Sequence, residues 1–499
     1  MSSIQIPISI PGDIAAPPGE SPLTQADASK TGVAMNSRLR MWIWLGAATA
    51  AGLGVALLPA PPQLSAVAQR VLAILVFSAI MWAAQVLNNG VTAVLMMGLM
   101  ILAGVRPPLA LSGFSGGPYW VLVAVLFYGC AMKKTGLAQR VSYYILSLFP
   151  ASYPGILTAF FLIGFALALG IPSMTVRTAI MVPIAWAMVQ SLGLPVRSRG
   201  SALILLTTVE MAVVPGLAFL TGSLNGPVVV AAFEAKHLSL TWAGYAQVLA
   251  LPTLLLCGLI LWANQVLLRP EAPLAKSGHF AKERLEALGS FRGQELITAI
   301  VVTVSIALWA TDRYHHIPSF VIGIFALGIF ALSGIVKDED ISTGVSWTLL
   351  LFLGGIFGMA NVIQEYKVAN WLAGFFVPIA QHLIFSSVVV LVAASLLMLA
   401  FRFIDPSAFI AIPVIFLSIA DVTGRAGIPP LVLMAALLLP SAPFWLSYQN
   451  FWLAMGEAVT ANQAFTARDR VRLATVYAAL ALTTVAVSIP YWKLIGLLR

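Results

Sequence analysis

Charge is scarce in this chain. Only 9% of its 499 residues are Asp, Glu, Lys or Arg, where an ordinary soluble domain carries about a quarter, so a soluble globule is excluded. Cysteine is rarer still. Cys130 and Cys257 both sit inside apolar runs, which rules out a disulfide framework and leaves them as small packing residues. The histidines show no zinc-ligand spacing, and the chain has no Walker-type phosphate loop. A resident metal centre, an ATP-driven pump and a soluble catalytic domain therefore find no support, and no cofactor is expected. His315 and His316 follow Asp312 and Arg313 and read as a solvated turn. The net charge is +9, yet the bases are not gathered on a soluble surface, so nucleic acid is not the partner.

Hydrophobic residues make up 60% of the chain. Apolar runs recur from Met41 to Leu498, many near the roughly 20 residues that cross a bilayer as a helix. A transmembrane barrel would show short alternating segments instead. The fold class is an all-α polytopic membrane protein, and the lipid bilayer is its first partner. Trp42, Trp44, Trp242 and Trp492 lie near span ends and read as interface anchors.

Residues 1–40 are rich in Pro, Ser and Ala without a long apolar run, and read as a disordered cytoplasmic tail. A first span follows in 41–65. Further spans are expected near 66–86, 90–105 and 118–132, then an interfacial helix 137–149, a hairpin 155–192, and spans near 200–232 and 241–268. The polar stretch 269–294 is the long charged internal segment, read as a cytoplasmic linker between two halves. The second half, 295–499, repeats the order: spans near 296–312, 318–336 and 344–362, an interfacial stretch 368–381, a hairpin 384–421, and spans near 428–457 and 472–497. With both hairpins re-entrant, seventeen bases fall inside and eight outside, and Arg177 and Arg402 remain in the membrane, which accounts for all 27. That distribution obeys the positive-inside rule with the N-terminus inside and the C-terminus outside. About 11 transmembrane helices plus two re-entrant hairpins result. Each repeat (66–268 and 295–499) has an odd number of crossings, so the two are inverted, as in secondary transporters.

The two hairpins share a plan of apolar run, polar and Pro-marked break, and second apolar run. The first reads TAFFLIGFALALGIPSMTVRTAIMVPI from Thr158, the second VLVAASLLMLAFRFIDPSAFIAIPVI from Val390. Pro172 and Pro406 break the backbone, and helix N-termini after them direct free N–H groups and positive dipole ends at one volume, which suits an anion. Arg177 either forks a carboxylate, sulfate or phosphate or pairs structurally with Glu210 or Asp405, because an ionised group at membrane depth needs a partner. Asp405 either binds a cation or proton, or balances Arg177 or Arg402. A second pair of polar breaks, LTGSLNGP from Leu220 and LPSAPFWLSYQN from Leu439, either completes the site or only kinks its span. The expected substrate-binding set is Ser173, Thr175, Arg177, Thr178, Thr221, Ser223, Asn225, Ser407 and Ser441. Coupling or charge balance falls to Ser173, Thr175, Asp405 and Glu210.

These motifs make the chain resemble the divalent anion:sodium symporter family, the dicarboxylate, citrate and sulfate carriers of the wider ion transporter superfamily. The resemblance runs from about residue 41 to the end, through ALSGFSGGPYWVLVAVLFYGCAMKKTGLAQRV from Ala110, SWTLLLFLGGIFGMANVIQE from Ser346, and the closing FTARDRVR and IPYWKLIGLL. The family's hairpin tips carry Ser-Asn-Thr ten residues before a proline. Ser173, Met174 and Thr175 match two of three before Pro183, whereas Phe403, Ile404 and Asp405 before Pro413 match none. Thr221, Gly222, Ser223 and Asn225 resemble the family's Gly-Thr-x-x-Asn break, one residue shorter between Gly and Asn. The resemblance implies a homodimer in the plasma membrane, with a fixed scaffold and a transport domain that moves like an elevator. It implies secondary transport of a small di- or tricarboxylate or sulfate-like anion, with Na+ or H+ open as coupling ion. The alternatives are a Na+/H+ antiporter or metalloid-anion permease of the same superfamily and, from other classes, an anion channel or a membrane-embedded enzyme.

Overall fold

The computed structural model describes residues 37–59, 64–271, 273–274, 280–291, 293–372, 374, 386–403, 405, 408–446, 449 and 451–498. Nearly all of the proposed tail, Ser407, much of the interfacial stretch 368–381 and the start of the second hairpin lie outside them.

Helices account for the regular structure among these residues. In the first half they are α1 (Ser37–Leu57), α2 (Ala66–Ala84), α3 (Asn89–Leu102), α4 (Gly117–Thr135), α5 (Leu137–Ser147), α6 (Tyr153–Gly170), α7 (Met174–Ser191), α8 (Arg199–Val213), α9 (Asn225–Ala235) and α10 (Trp242–Leu267). A linker helix, α11 (Phe280–Ala287), precedes α12 (Gly293–Ala310), α13 (Ser319–Leu332), α14 (Trp347–Glu365), α15 (Ser387–Phe401), α16 (Ala411–Arg425), α17 (Pro430–Leu438), α18 (Phe451–Val459) and α19 (Ala467–Leu494). Among the described residues, eight helices are long and apolar enough to cross a membrane, and the pair α4 and α5 is bent by 69°.

Hydroxyl and amide side chains start many of these helices. Ser65, Asn88, Ser152, Ser198, Thr241 and Ser346 accept from first-turn N–H groups of α2, α3, α6, α8, α10 and α14, and Thr466 with Asp469 closes a capping box on α19. Such caps satisfy donors that a helix end leaves open. They matter more where water is absent.

Helix α8 lies at the centre, its apolar window wholly buried. It packs against α6, α7, α10 and α18. Gly164 lets α6 close on the Met211 carbonyl of α8, where a Cβ would clash. On the other side, α1, α2, α3 and α14 pack in series, α4 pairs with α13, and α9 bridges to α4, α14 and α16. The arms of the first hairpin meet at their base, because Ile156 near the start of α6 and Met188 near the end of α7 line one crevice with Phe280 of α11.

Ion pairs tie helix ends and loops together: Lys134–Asp340 (2.5 Å), Arg140–Glu295 (2.6 Å), Arg470–Glu457 (2.8 Å), Lys236–Asp421 (2.8 Å) and Arg106–Glu365 (2.9 Å). Two tryptophans correct the reading from sequence. Trp42 and Trp44 are exposed, as interface anchors should be, but Trp242 and Trp492 are buried, with indole N–H groups donated to Thr221 Oγ1 and the Val248 carbonyl at 3.0 Å each.

Candidate functional site

The tip of the first hairpin is built by backbone shortage. Helix α6 stops at Gly170, Ile171 is extended, and Pro172 supplies no N–H. Ser173 then caps α7, its Oγ accepting from the Val176 N–H at 3.3 Å. The Thr178 hydroxyl donates to the Met174 carbonyl at 2.8 Å, within its own helix. Thr175 is only partly buried, and its Oγ1 accepts from Trp452 Nε1 of α18 at 3.2 Å. Of the three hydroxyls, only Thr175 reaches to another element.

Arg177 is wholly buried, and its guanidinium is spent on carbonyls. Nε donates to Ala212 O at 2.7 Å, Nη1 to Ile171 O at 2.5 Å and Gly222 O at 2.6 Å, and Nη2 to Val213 O at 3.4 Å. No ion pair joins it to Glu210 or Asp405 among the described residues. The expected pairing is therefore replaced by a clasp. Helix α8 ends at Val213 and runs into a 3-10 turn, Val214–Ala218, leaving carbonyls without intrahelical donors. Arg177 satisfies two of these together with the last carbonyl before Pro172 and one from the following loop.

Between Ala218 and α9 the chain is irregular and buried. Gly216 faces the Gly222 carbonyl and Arg177 Nη2, and Gly226 faces the Leu220 carbonyl, so closely that neither position has room for a Cβ. Trp242 anchors the segment by its bond to Thr221 and by stacking on Phe219 at 5.7 Å. Its own N–H donates to Asp312 Oδ2 at 2.6 Å. Two buried polar atoms of the segment, Ser223 Oγ and Asn225 Oδ1, have no hydrogen-bond partner among the described residues. Both belong to the irregular segment that Arg177 clasps through the Gly222 carbonyl.

The second tip follows a different rule. Asp405 Oδ2 accepts from the Ile410 and Ala411 N–H groups at 2.8 Å each, so the carboxylate occupies the N-terminus of α16. Ala408 between them has a φ of 64°, a conformation that an L side chain enters only under constraint. Arg402 donates to the carbonyls of Gln449 (2.6 Å), Pro443 (3.4 Å) and Asp405 (3.5 Å), and Gln449 Nε2 donates back to the Arg402 carbonyl at 3.3 Å. Each tip thus carries a buried arginine that binds carbonyls of the broken helix after it. Asp405 also lines an apolar crevice with Trp82, Met359, Phe401 and Ile410. Ser441 is buried in the second break, its N–H on the Leu438 carbonyl at 3.0 Å.

Glu210 is buried in the last turn of α8. Its Oε2 accepts from Asn264 Nδ2 of α10 at 2.5 Å, and the same amide donates to Thr207 Oγ1 at 3.0 Å. Asn264 and Trp452 escaped the reading from sequence, which took Trp242 for an interface anchor and Gln449 only as part of the second break. Asn264 had a visible signal, since it is an amide inside a 26-residue apolar helix; the other three acquire their role only from contacts far along the chain. No cluster of three or more metal-ligating side chains occurs among the described residues.

Comparison with known proteins agrees with this architecture. The model of the sodium:sulfate symporter transmembrane region matches residues 39–498. A membrane protein of Cupriavidus necator is 26% identical over 67% of this chain and 69% of its own length. The chloroplastic dicarboxylate transporter 1 of Spinacia oleracea is 24% identical over 64% of this chain, which spans 58% of the spinach protein. Among solved structures, the YdaH transporter of Alcanivorax borkumensis superposes with a TM-score of 0.53 at 15% identity, covering 81% of this chain and 90% of that one.

Proposed function

The chain belongs to the sodium:sulfate symporter family, and from that premise we propose that it is a secondary active transporter of a small anion, a dicarboxylate, tricarboxylate or sulfate. The observation that carries this reading is the pair of unpartnered buried acceptors, Ser223 Oγ and Asn225 Oδ1, set in the broken segment that Arg177 clasps to the first tip. Non-helical backbone at membrane depth is tolerated where it lines a cavity or is buried in protein. A guest that brings donors or a coupling cation satisfies the two oxygens, while the N-terminus of α7 and Thr175 face its negative charge. Arg177 acts from behind the tip as a fixed positive charge and a brace.

The same reading places the protein in the plasma membrane as a homodimer, N-terminus inside, with the two halves as inverted repeats and the hairpins carried in an elevator-like transport domain. An antiporter built on Asp405 is disfavoured, because that carboxylate already accepts two N–H groups of α16. The test is uptake of labelled dicarboxylate and sulfate by purified protein in proteoliposomes under imposed sodium and proton gradients. Saturable accumulation supports the proposal. Folded protein that moves none of a broad anion panel overturns it.

A further inference from the structure

Glu210 is used neither by the clasp nor by the broken segment. Its carboxyl is buried, and among the described residues only one of its oxygens has a partner, the neutral amide of Asn264; Oε1 has none. The groups around it are no substitute for a cation. On α7, the one charged residue is Arg177, already committed to carbonyls. On α6, Tyr153 lies against Gly200, nearly three turns away along α8. On α10, Cys257 lies within electrostatic reach of Glu210, as does Tyr477 of α19, whose hydroxyl donates to the Leu439 carbonyl at 2.7 Å; Tyr245, also on α10, is buried with its hydroxyl unpartnered. Glu457 of α18 is paired with Arg470, and Arg402, near Tyr477, is bound to the Gln449 and Pro443 carbonyls.

An ionised carboxylate here would be a buried charge facing one amide dipole. A neutral acid with one idle oxygen costs far less, because desolvating an unpaired charge dominates the loss of a single hydrogen bond. We propose that Glu210 is a proton-binding site: the carboxyl carries a proton on Oε1 in the state seen here, and its release and uptake link anion movement to a proton gradient. The step is a simple O–H ionisation, the proton coming from water on one side of the membrane and returning to water on the other, with no electron transfer. The placement favours coupling, for Glu210 lies two residues before Ala212, whose carbonyl Arg177 grips together with Ile171 of the tip and Gly222 of the break. Ionisation would place a negative charge on the helix whose end this clasp holds.

This inference rests on the transport reading above, so its test has a readout that does not. Infrared difference spectra of the purified protein in nanodiscs, recorded across a pH titration, should show the C=O stretch of a buried protonated acid at neutral pH. That band should vanish in Glu210→Gln and shift in Asn264→Ala, which removes the single donor. In proteoliposomes, Glu210→Gln should still exchange labelled anion for unlabelled anion but lose accumulation driven by a pH gradient. Absence of a Glu210-dependent acid band overturns the proton site. A band accompanied by undiminished accumulation in Glu210→Gln overturns the coupling. Should the wild-type protein exchange no anion at all, the transport reading fails, while the spectra still decide whether Glu210 holds a proton. If Glu210→Gln does not fold, the Asn264→Ala shift and the wild-type titration decide the site.

Discussion

Removing the Arg177 side chain distinguishes two roles for it. A guanidinium that grips substrate would leave the empty protein intact when lost; one that holds carbonyls would not. In Arg177→Ala, three short bonds disappear, to Ile171, Gly222 and Ala212 at 2.5 to 2.7 Å, along with a longer one to Val213. Bonds from a charged donor contribute roughly 1.5–3 kcal/mol each, so the gross loss is about 4.5–9 kcal/mol. Against it stands relief from burying the guanidinium, itself several kcal/mol. The net destabilisation should be about 2–5 kcal/mol, in the range found when one partner of a buried charged contact is removed. At about 2 °C per kcal/mol for a large chain, thermal denaturation in detergent without substrate should shift down by about 4–10 °C. Arg177→Lys should not restore it, because one ammonium cannot reach carbonyls on three segments. An unchanged melting temperature with loss of anion binding would refute this reasoning and return the guanidinium to the substrate.

The remaining predictions use the same assays. Ser223→Ala and Asn225→Ala should keep or raise the melting temperature of the empty protein, since both remove an unsatisfied buried atom. They should abolish the stabilisation that saturating anion with sodium gives the wild type, about 2.7 kcal/mol at a hundredfold excess over Kd, and undiminished ligand stabilisation would refute their role. Asp405→Asn should cost about 1–2 kcal/mol, as loss of a charged helix cap does, and show as a lower melting temperature; no change would mean that the carboxylate is not needed at α16. At Asp340, burial raises the carboxyl's affinity for protons, but the hydrogen bonds from Lys134 and the Lys337 N–H outweigh it and hold the group below the usual carboxylate value. That bridge stabilises above the ordinary carboxylate range and is lost only as pH falls through the folded-state value. The stability difference between wild type and Lys134→Ala should therefore be under about 1 kcal/mol and flat between about pH 5 and 8, and a slope in that window would refute it.

Much of the fold was legible because membrane helices announce themselves locally. A run of some 20 apolar residues closed by Ser, Thr, Asn or Pro has few other ways to satisfy its backbone in lipid. The expected spans near 66–86, 118–132 and 241–268 became α2, α4 and α10 with ends within a few residues. The interruption between α6 and α7 at Pro172 and the irregular stretch before α9 were visible for the same reason. Partners were not visible, because they depend on which distant carbonyl lies within reach. Arg177 was read as gripping an anion or pairing with Glu210 or Asp405; in the folded chain it binds carbonyls instead, Asp405 accepts backbone N–H groups and Glu210 an amide.

By itself, the sequence determined that the chain is an all-helical membrane protein, where its breaks fall and that buried charge accompanies them. Those are consequences of composition and order, since hydropathy and proline act within a helix turn or two. Tertiary structure alone decided what each charge does. Arg177 became a brace because the end of α8 arrives beside it with open carbonyls, Asp405 became a cap because α16 begins six residues later with open N–H groups, and Glu210 kept a bare oxygen because α10 brings only an amide to meet it.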